Sequence, residues 1–275
     1  MKKLLCILLA LALLAGLLMI DNNRIEKTAY TVTSPDLPEA FQGLRIVEIA
    51  DLHGKSFGTE HARLLRAVQE SSPDLIAIDG DLFDDTTDVR TLDPLLKGLC
   101  RIAPTYYVTG NHEWATEHLR DTLAHIEALG VTVLQNEYVV WERDGEAIAV
   151  AGVHDPNGPY DMKTKAELVG EIRADLGENA YILMLAHRNG QLDEWADLGV
   201  QTVLTGHAHG GIVRIPFVGG LIGVDMELFP TYTEGVFHEG ATSMVVSRGL
   251  GNSSGLFRVL NAPEMPVITL ERESA

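Results

Sequence analysis

Cysteine is almost missing from this chain of 275 residues: Cys6 lies inside an N-terminal apolar run and Cys100 stands alone. That excludes both a disulfide framework and a cysteine zinc site in the main domain. Positive charge is scarce too, with 21 Lys and Arg against 39 Asp and Glu and a formal net charge of −18. Neutralising a phosphate backbone needs a basic surface, so no nucleic acid is expected as a partner. Excess carboxylate keeps such a domain soluble. No internal repeat is visible. The hydrophobic fraction of 46% is ordinary for a globular protein, which argues against global disorder.

One long hydrophobic run is present. Residues 1–20 open with Lys2 and Lys3 and then carry no charge from Leu4 to Ile20. No polar face interrupts the run, so it is not a buried core helix. It reads as an uncleaved signal anchor, because Leu17-Leu18-Met19-Ile20 offers no small-x-small cleavage site and Cys6 has no lipobox-like context. Lys2 and Lys3 on its N-terminal side place the bulk of the protein outside the cytoplasm. Cleavage of the run would instead release the domain as a secreted protein. Residues 21–42 read as a polar stalk and extended lead-in, with Pro35 and Pro38 excluding a helix. The remaining 43–275 reads as one domain.

From Gly43 the pattern becomes regular. Apolar runs at 45–50, 75–78 and 105–108 predict strands, and helices are expected near 59–70, 88–100 and 116–129. A hairpin is expected from 138–141 and 147–150 around Asp144-Gly145. Then come a helix near 162–175, a strand at 181–185, a helix near 190–197, a strand at 202–204 and shorter strands to 269. The chain is therefore expected to be α/β, a four-layer α-β-β-α sandwich of two mixed β-sheets flanked by helices. Ligand-bearing residues fall at the carboxyl ends of strands.

Those residues come in five motifs: Asp51-Leu52-His53, Gly80-Asp81, Gly110-Asn111-His112-Glu113, Ala186-His187 and Gly206-His207-Ala208-His209. Asp-x-His alone occurs by chance at roughly one position in a thousand on average residue usage. All five in order, each after an apolar run, point to one dinuclear metal site that hydrolyses a phosphate ester. Two ions a few ångströms apart repel, so a carboxylate must bridge them, and Asp81 after Gly80 at a strand end is the candidate. In Asp51-x-His53 an extended backbone would point both side chains to one side. Asn111 adds a neutral carbonyl oxygen, and His187, His207 and His209 complete two spheres of mixed nitrogen and oxygen. Mn, Zn, Fe, Co or Ni fit such donors.

These motifs resemble the calcineurin-like metallophosphoesterase family, closest to its membrane-associated or exported bacterial branch. Leu204-Thr205-Gly206-His207-Ala208-His209-Gly210-Gly211 and Val246-Ser247-Arg248-Gly249-Leu250-Gly251 add to the likeness, which covers nearly all of 43–270. The resemblance implies two divalent metal ions per chain. Asp51, His53, Asp81 and His209 would hold one ion, and Asp81, Asn111, His187 and His207 the other. It also implies in-line attack by a hydroxide bridging the ions, with His112 as the catalytic acid at the leaving oxygen. Glu113, where Asp is commoner, is expected to orient His112. Asn189 and Ile212 depart from the branch's Pro and Gln, which bears on substrate contacts rather than metal binding.

Three further residues are candidates for substrate contact. Arg188 and Arg248 could each bind an anion, with an ion pair to a carboxylate as the alternative. His154 ends the strand of the expected hairpin at the active edge. Gly249-Leu250-Gly251 with Asn252-Ser253-Ser254-Gly255 is either an anion cradle or a plain surface loop. Loops 154–165 and 212–235 are the expected rim. A catalytically inactive metal-binding scaffold that docks a partner protein is the competing reading, and the presence of Asn111 and His112 disfavours it. A different dinuclear hydrolase, such as a metallo-β-lactamase-like enzyme, is the weaker third alternative, and the lack of any His-x-His-x-Asp-His run argues against it. The substrate is expected to be a phosphodiester or pyrophosphate. An anchor would hold the active edge near lipid-linked or cell-wall phosphate esters, while free nucleotides and phosphoproteins stay open.

Overall fold

The computed structural model describes residues 2–159, 162–224, 226–252 and 257–273. It begins with helix α1, Lys2–Asp21, whose mean hydropathy of 2.7 and 20 residues suffice to cross a bilayer core. None of its apolar window is buried against the domain.

Two six-stranded sheets follow. The first contains β1 (Glu26–Ser34), β2 (Arg45–Ile49), β3 (Leu75–Asp79), β4 (Thr105–Val108), β5 (Thr132–Val133) and β14 (Glu264–Arg272), in the order β1-β14-β2-β3-β4-β5. The second contains β6 (Glu137–Arg143), β7 (Glu146–Gly152), β8 (Ile182–Leu185), β9 (Thr202–Thr205), β12 (Gly235–Glu239) and β13 (Thr242–Val246), in the order β12-β13-β9-β8-β7-β6. Each sheet has a parallel centre and at least one antiparallel pairing: β14 against β2 in one, β6 against β7 and β12 against β13 in the other. A small ribbon, β10 (Val213–Ile215) with β11 (Gly219–Ile222), stands apart.

Period-two alternation sorts the side chains into three cores. Ile46, Leu75 and Ala77 face inward to meet Val150, Leu183 and Leu204 of the other sheet. Their neighbours Val47, Ile76 and Ile78 face outward under α2 (Ala62–Ser71), α3 (Asp93–Ile102) and α5 (Leu119–Ala128). On the far side Ile182, Met184 and Val203 pack beneath α6 (Lys165–Leu176) and α7 (Leu192–Asp197). This is the expected four-layer sandwich.

The lead-in is extended, as expected, over β1, but it does not stand off as a stalk, for β1 pairs with β14 along its whole length, from Glu26↔Glu264 to Ser34↔Arg272. Glu26, Thr28, Tyr30, Val32 and Ser34 alternate inward, a strand pattern that a reading focused on Pro35 and Pro38 passes over. Asn22, directly after α1, is buried, and its Nδ2 donates to the Arg258 carbonyl at 2.7 Å. The folded unit thus begins at Asn22.

Candidate metal centre

The strand ends of both sheets converge on one point. β2 runs into Asp51 and His53, β3 into Asp81, and β4 into the four-residue helix α4 (Asn111–Trp114). From the second sheet β8 leads to His187 and β9 to His207 and His209. The expected ligands come together in two groups, Asp51–His53–Asp81–His209 and Asp81–His187–His207, whose donor atoms lie within 4.8 Å of one another. Asp81 belongs to both. Asn111 joins the second group, its Oδ1 3.2 Å from His187 Nε2.

The backbone reaches this geometry by a route the sequence did not suggest. Asp51, His53, Asp81, His207 and His209 all have φ between +47° and +64°. They sit in tight left-handed turns, so Asp51 and His53 converge without the extended backbone expected of them. Asp, Asn and His tolerate this region better than most residues, yet each instance costs about 1–3 kcal/mol and persists only where the surroundings over-determine it.

Glu113 supplies part of that determination. Its carboxylate is fully buried and accepts the N–H groups of Gly110 (2.9 Å), Asp81 (3.1 Å) and Leu82 (2.7 Å), plus the Tyr107 hydroxyl (2.8 Å). It therefore does not orient His112. It clamps the Gly80-Asp81-Leu82 turn to the turn at Gly110. Burial, and then the Asp81 charge, push its carboxyl up to about 7.

Electrostatics identify Asp81 as the pole of the site. Burial works to raise its carboxyl, but the charge and hydrogen bond of His187 outweigh burial and hold it below the usual carboxylate range. His187 Nε2 lies 3.2 Å from Asp81 Oδ2. Burial works to lower its ring, yet Asp81 prevails and brings it up to about 10. Its Nδ1 is 2.8 Å from the Asp79 carbonyl, which can only accept. The hydrogen on Nδ1 is thereby fixed, and Nε2, which holds its proton toward Asp81 Oδ2, is the atom that an ion would take on displacing that proton. Burial lowers His53 to about 4 and His207 to about 3. Both rings are therefore uncharged at neutral pH. His53 Nε2 and His209 Nε2 face each other at 3.1 Å. Opposed nitrogens beside two buried carboxylates fit divalent metal ions.

His112 is the half-exposed member. Its N–H donates to Asp81 Oδ1 at 2.9 Å, and its Nε2 stands 4.0 Å from Asp81 Oδ2. The substrate candidates separate. Arg188 ion-pairs with Asp155 at 2.5 Å while its Nη1 reaches to 2.9 Å from His207 Nε2, so it borders the site. Arg248 is taken up by Glu264, Glu234 and Glu26, the ion-pair alternative. His154 is buried, its Nδ1 2.6 Å from Thr109 Oγ1 and its ring edge-on to Trp114. Part of the rim, 160–161 and 225, and residues 253–255 of the supposed anion cradle lie outside the described residues.

Sequence reasoning missed Arg258. This fully buried guanidinium donates to the Gly251 carbonyl at 2.6 Å and meets His209 Nδ1 at 3.0 Å. A guanidinium only donates, so Nδ1 accepts, the inverse of His187. Loading an ion on His209 Nε2 then requires the ring hydrogen to leave or Arg258 to give way. No motif marks Arg258; only its burial reveals it.

Strand-end Asp, Asn and His side chains that could hold metal ions between two mixed sheets are the arrangement expected of a metallophosphoesterase. The chain belongs to the calcineurin-like phosphoesterase family, whose model matches residues 44–211. It is 29% identical over 258 residues to the uncharacterized metallophosphoesterase YkuE of Bacillus subtilis (strain 168), covering 92% of this chain and 87% of that protein. To phosphodiesterase YaeI of Escherichia coli (strain K12) it is 27% identical over 236 residues, 82% of each chain. To a transmembrane protein with metallophosphoesterase domain from Danio rerio it is 27% identical over 239 residues, 77% of this chain and 53% of that one. It is a hydrolase acting on phosphoester bonds.

Proposed function

We propose that this enzyme cleaves phosphodiester or pyrophosphate bonds with two divalent metal ions sharing Asp81, on the outer side of a membrane spanned by α1. The observation that carries the reading is the single Asp81 carboxylate common to both donor groups. Asp51, His53 and His209 would complete one sphere, and Asn111, His187 and His207 the other. Bound ions supply Lewis-acid activation of water and neutralise phosphate charge. The chain's own residues do the rest. Asp51 is held by the His207 N–H at 3.0 Å, which keeps its carboxylate aimed into the site. Arg188, positioned by Asp155, would turn its Nη1 from His207 to a phosphate oxygen. His112 stands at the mouth with a ring nitrogen able to give a proton to the departing oxygen. Mixed nitrogen and oxygen donors suit Mn, Zn, Fe, Co or Ni. The name of YaeI supports the diester preference, and the apolar α1 supports the anchor.

The test uses the full chain in detergent or nanodiscs with a chromogenic phosphodiester and the matching monoester, with Mn, Zn or EDTA. Diester turnover should exceed monoester turnover, vanish with EDTA, and fall roughly 100-fold or more in Asp81→Asn. A well-folded wild type that binds no metal would overturn the reading.

A further inference from the structure

Outside α1, nearly every strongly exposed large hydrophobic among the described residues lies in two short segments, 215–229 and 257–260, with Val140 as the exception. Phe217 is wholly exposed, and Val218, Leu228, Phe229, Phe257 and Leu260 are 45–68% exposed. Patches of this kind on a soluble face mark interaction sites.

The two segments form one flap. The Arg214 N–H donates to the Val259 carbonyl at 3.0 Å, and the Val259 N–H to Ile212 at 3.2 Å. The Phe229 N–H donates to Leu221 at 2.9 Å, tying the 226–229 return to β11. Arg214 is paired with Glu234, and the Glu227 side chain, itself exposed, folds its carboxylate back over Gly223. The tips are left apolar.

The flap also meets the end of α1. Arg258, between Phe257 and Leu260, is held through both backbone groups by Asn22, the residue directly after α1: Asn22 Nδ2 donates to its carbonyl at 2.7 Å, and its N–H donates to Asn22 Oδ1 at 3.3 Å. The Lys55 ammonium donates to the Asn22 carbonyl at 2.6 Å, and Arg63 to that of Asn23 at 2.6 Å. The junction is therefore rigidly joined to the domain, without a flexible linker. Chain leaving a bilayer at Asp21 brings Phe257 and Leu260 with it.

We propose that this flap is a membrane seat: Phe217, Phe229, Phe257, Leu260 and their neighbours insert into the lipid headgroup and upper acyl region beside α1. The inference rests on α1 spanning the bilayer and adds a second contact to it. Aromatic and aliphatic side chains lying at that depth are the usual interfacial anchors. Because Arg258 also contacts His209, the seat holds the metal centre beside the headgroup layer at a set height.

The test places a fluorescent ring on the flap of the full chain. Phe217→Trp and Phe229→Trp, with Val140→Trp as the control on the opposite sheet edge, are reconstituted in phosphatidylcholine–phosphatidylglycerol vesicles with or without brominated acyl chains. Thermal melts confirm that each variant is folded. The emission added by each flap Trp should shift to the blue and fall roughly twofold in brominated vesicles, as for a ring buried ~5–10 Å deep, while that of Val140→Trp stays unchanged. If protein that resists carbonate extraction shows no more quenching at Phe217→Trp than at Val140→Trp, the seat is wrong and the anchor stands. Release by carbonate would overturn the anchor and the seat together. Concentration-dependent cross-linking between copies through position 217, without quenching, would assign the patch to a second copy and overturn the proposal.

Discussion

Glu113 faces away from His112 because four buried backbone and hydroxyl donors need an acceptor more than the imidazole needs a guide. A buried N–H left without a partner costs about 1–3 kcal/mol. Glu113→Ala strands those of Gly110, Asp81 and Leu82 at once. We expect this variant to lose about 3 kcal/mol or more in urea unfolding. Its metal affinity, read by titration of the metal-free protein, should drop as the Asp81 turn relaxes. Unchanged affinity at reduced stability would mean that the turn is held by something else. The same scale explains the glycines of the motifs. A Cβ on Gly110 would lie 2.2 Å from Asp81 Oδ1, and one on Gly80 2.6 Å from the Gly110 nitrogen. These strand ends can touch only where neither residue carries a side chain.

The elements that present the ligands carry a second acidic pair behind them. Glu48 on β2 and Asp79 on β3 are fully buried, and among the described residues no group hydrogen-bonds their carboxyl oxygens. Burial raises both, Asp79 to about 8 and Glu48 well above its usual range, where the Asp79 charge adds to the effect. The consequence for stability has a definite sign. Below the ordinary carboxylate range both folded and unfolded chains are protonated. Above it the unfolded chain ionises first and the folded pair resists, so stability falls as pH rises toward 8, at up to about 1.4 kcal/mol per pH unit for each proton held. Glu48→Gln removes one such group. Its melting temperature should match the wild type at about pH 3.5 and exceed it increasingly from about pH 5 to pH 8 in EDTA. Parallel curves for the two proteins would show that the pair titrates normally.

At the scale of the whole molecule, the first sheet is closed by the segment that joins it to α1. A chain starting at Gly43 would lose β1, uncover the long edge of β14, and break the Asn22–Arg258 latch behind His209. Exposed strand edges of that length invite aggregation. We expect such a chain to melt at least about 10 °C lower than the full chain and to aggregate. Removal of residues 1–20 alone should leave the circular dichroism melt within a few degrees. Equal melting of both truncations would return 21–42 to the role of a stalk.

The gathering of the five Asp, Asn and His motifs at one point, the strands before them and the four-layer architecture were all legible in the sequence. Period-two alternation and strand-end ligands are local patterns, and the burial that produces them acts residue by residue. The apolar length of α1 was legible for the same reason. What only the tertiary structure decided were pairings between distant segments: β1 with β14, Glu113 with the Asp81 turn, Arg188 with Asp155, and Arg258 with both Asn22 and His209. The partner in each case leaves no local trace, because a contact across 31 residues or more is set by how the sheets stack. The left-handed backbone of Asp51, His53, Asp81, His207 and His209 belongs to the same class, since local preference alone would not hold five such turns at one point.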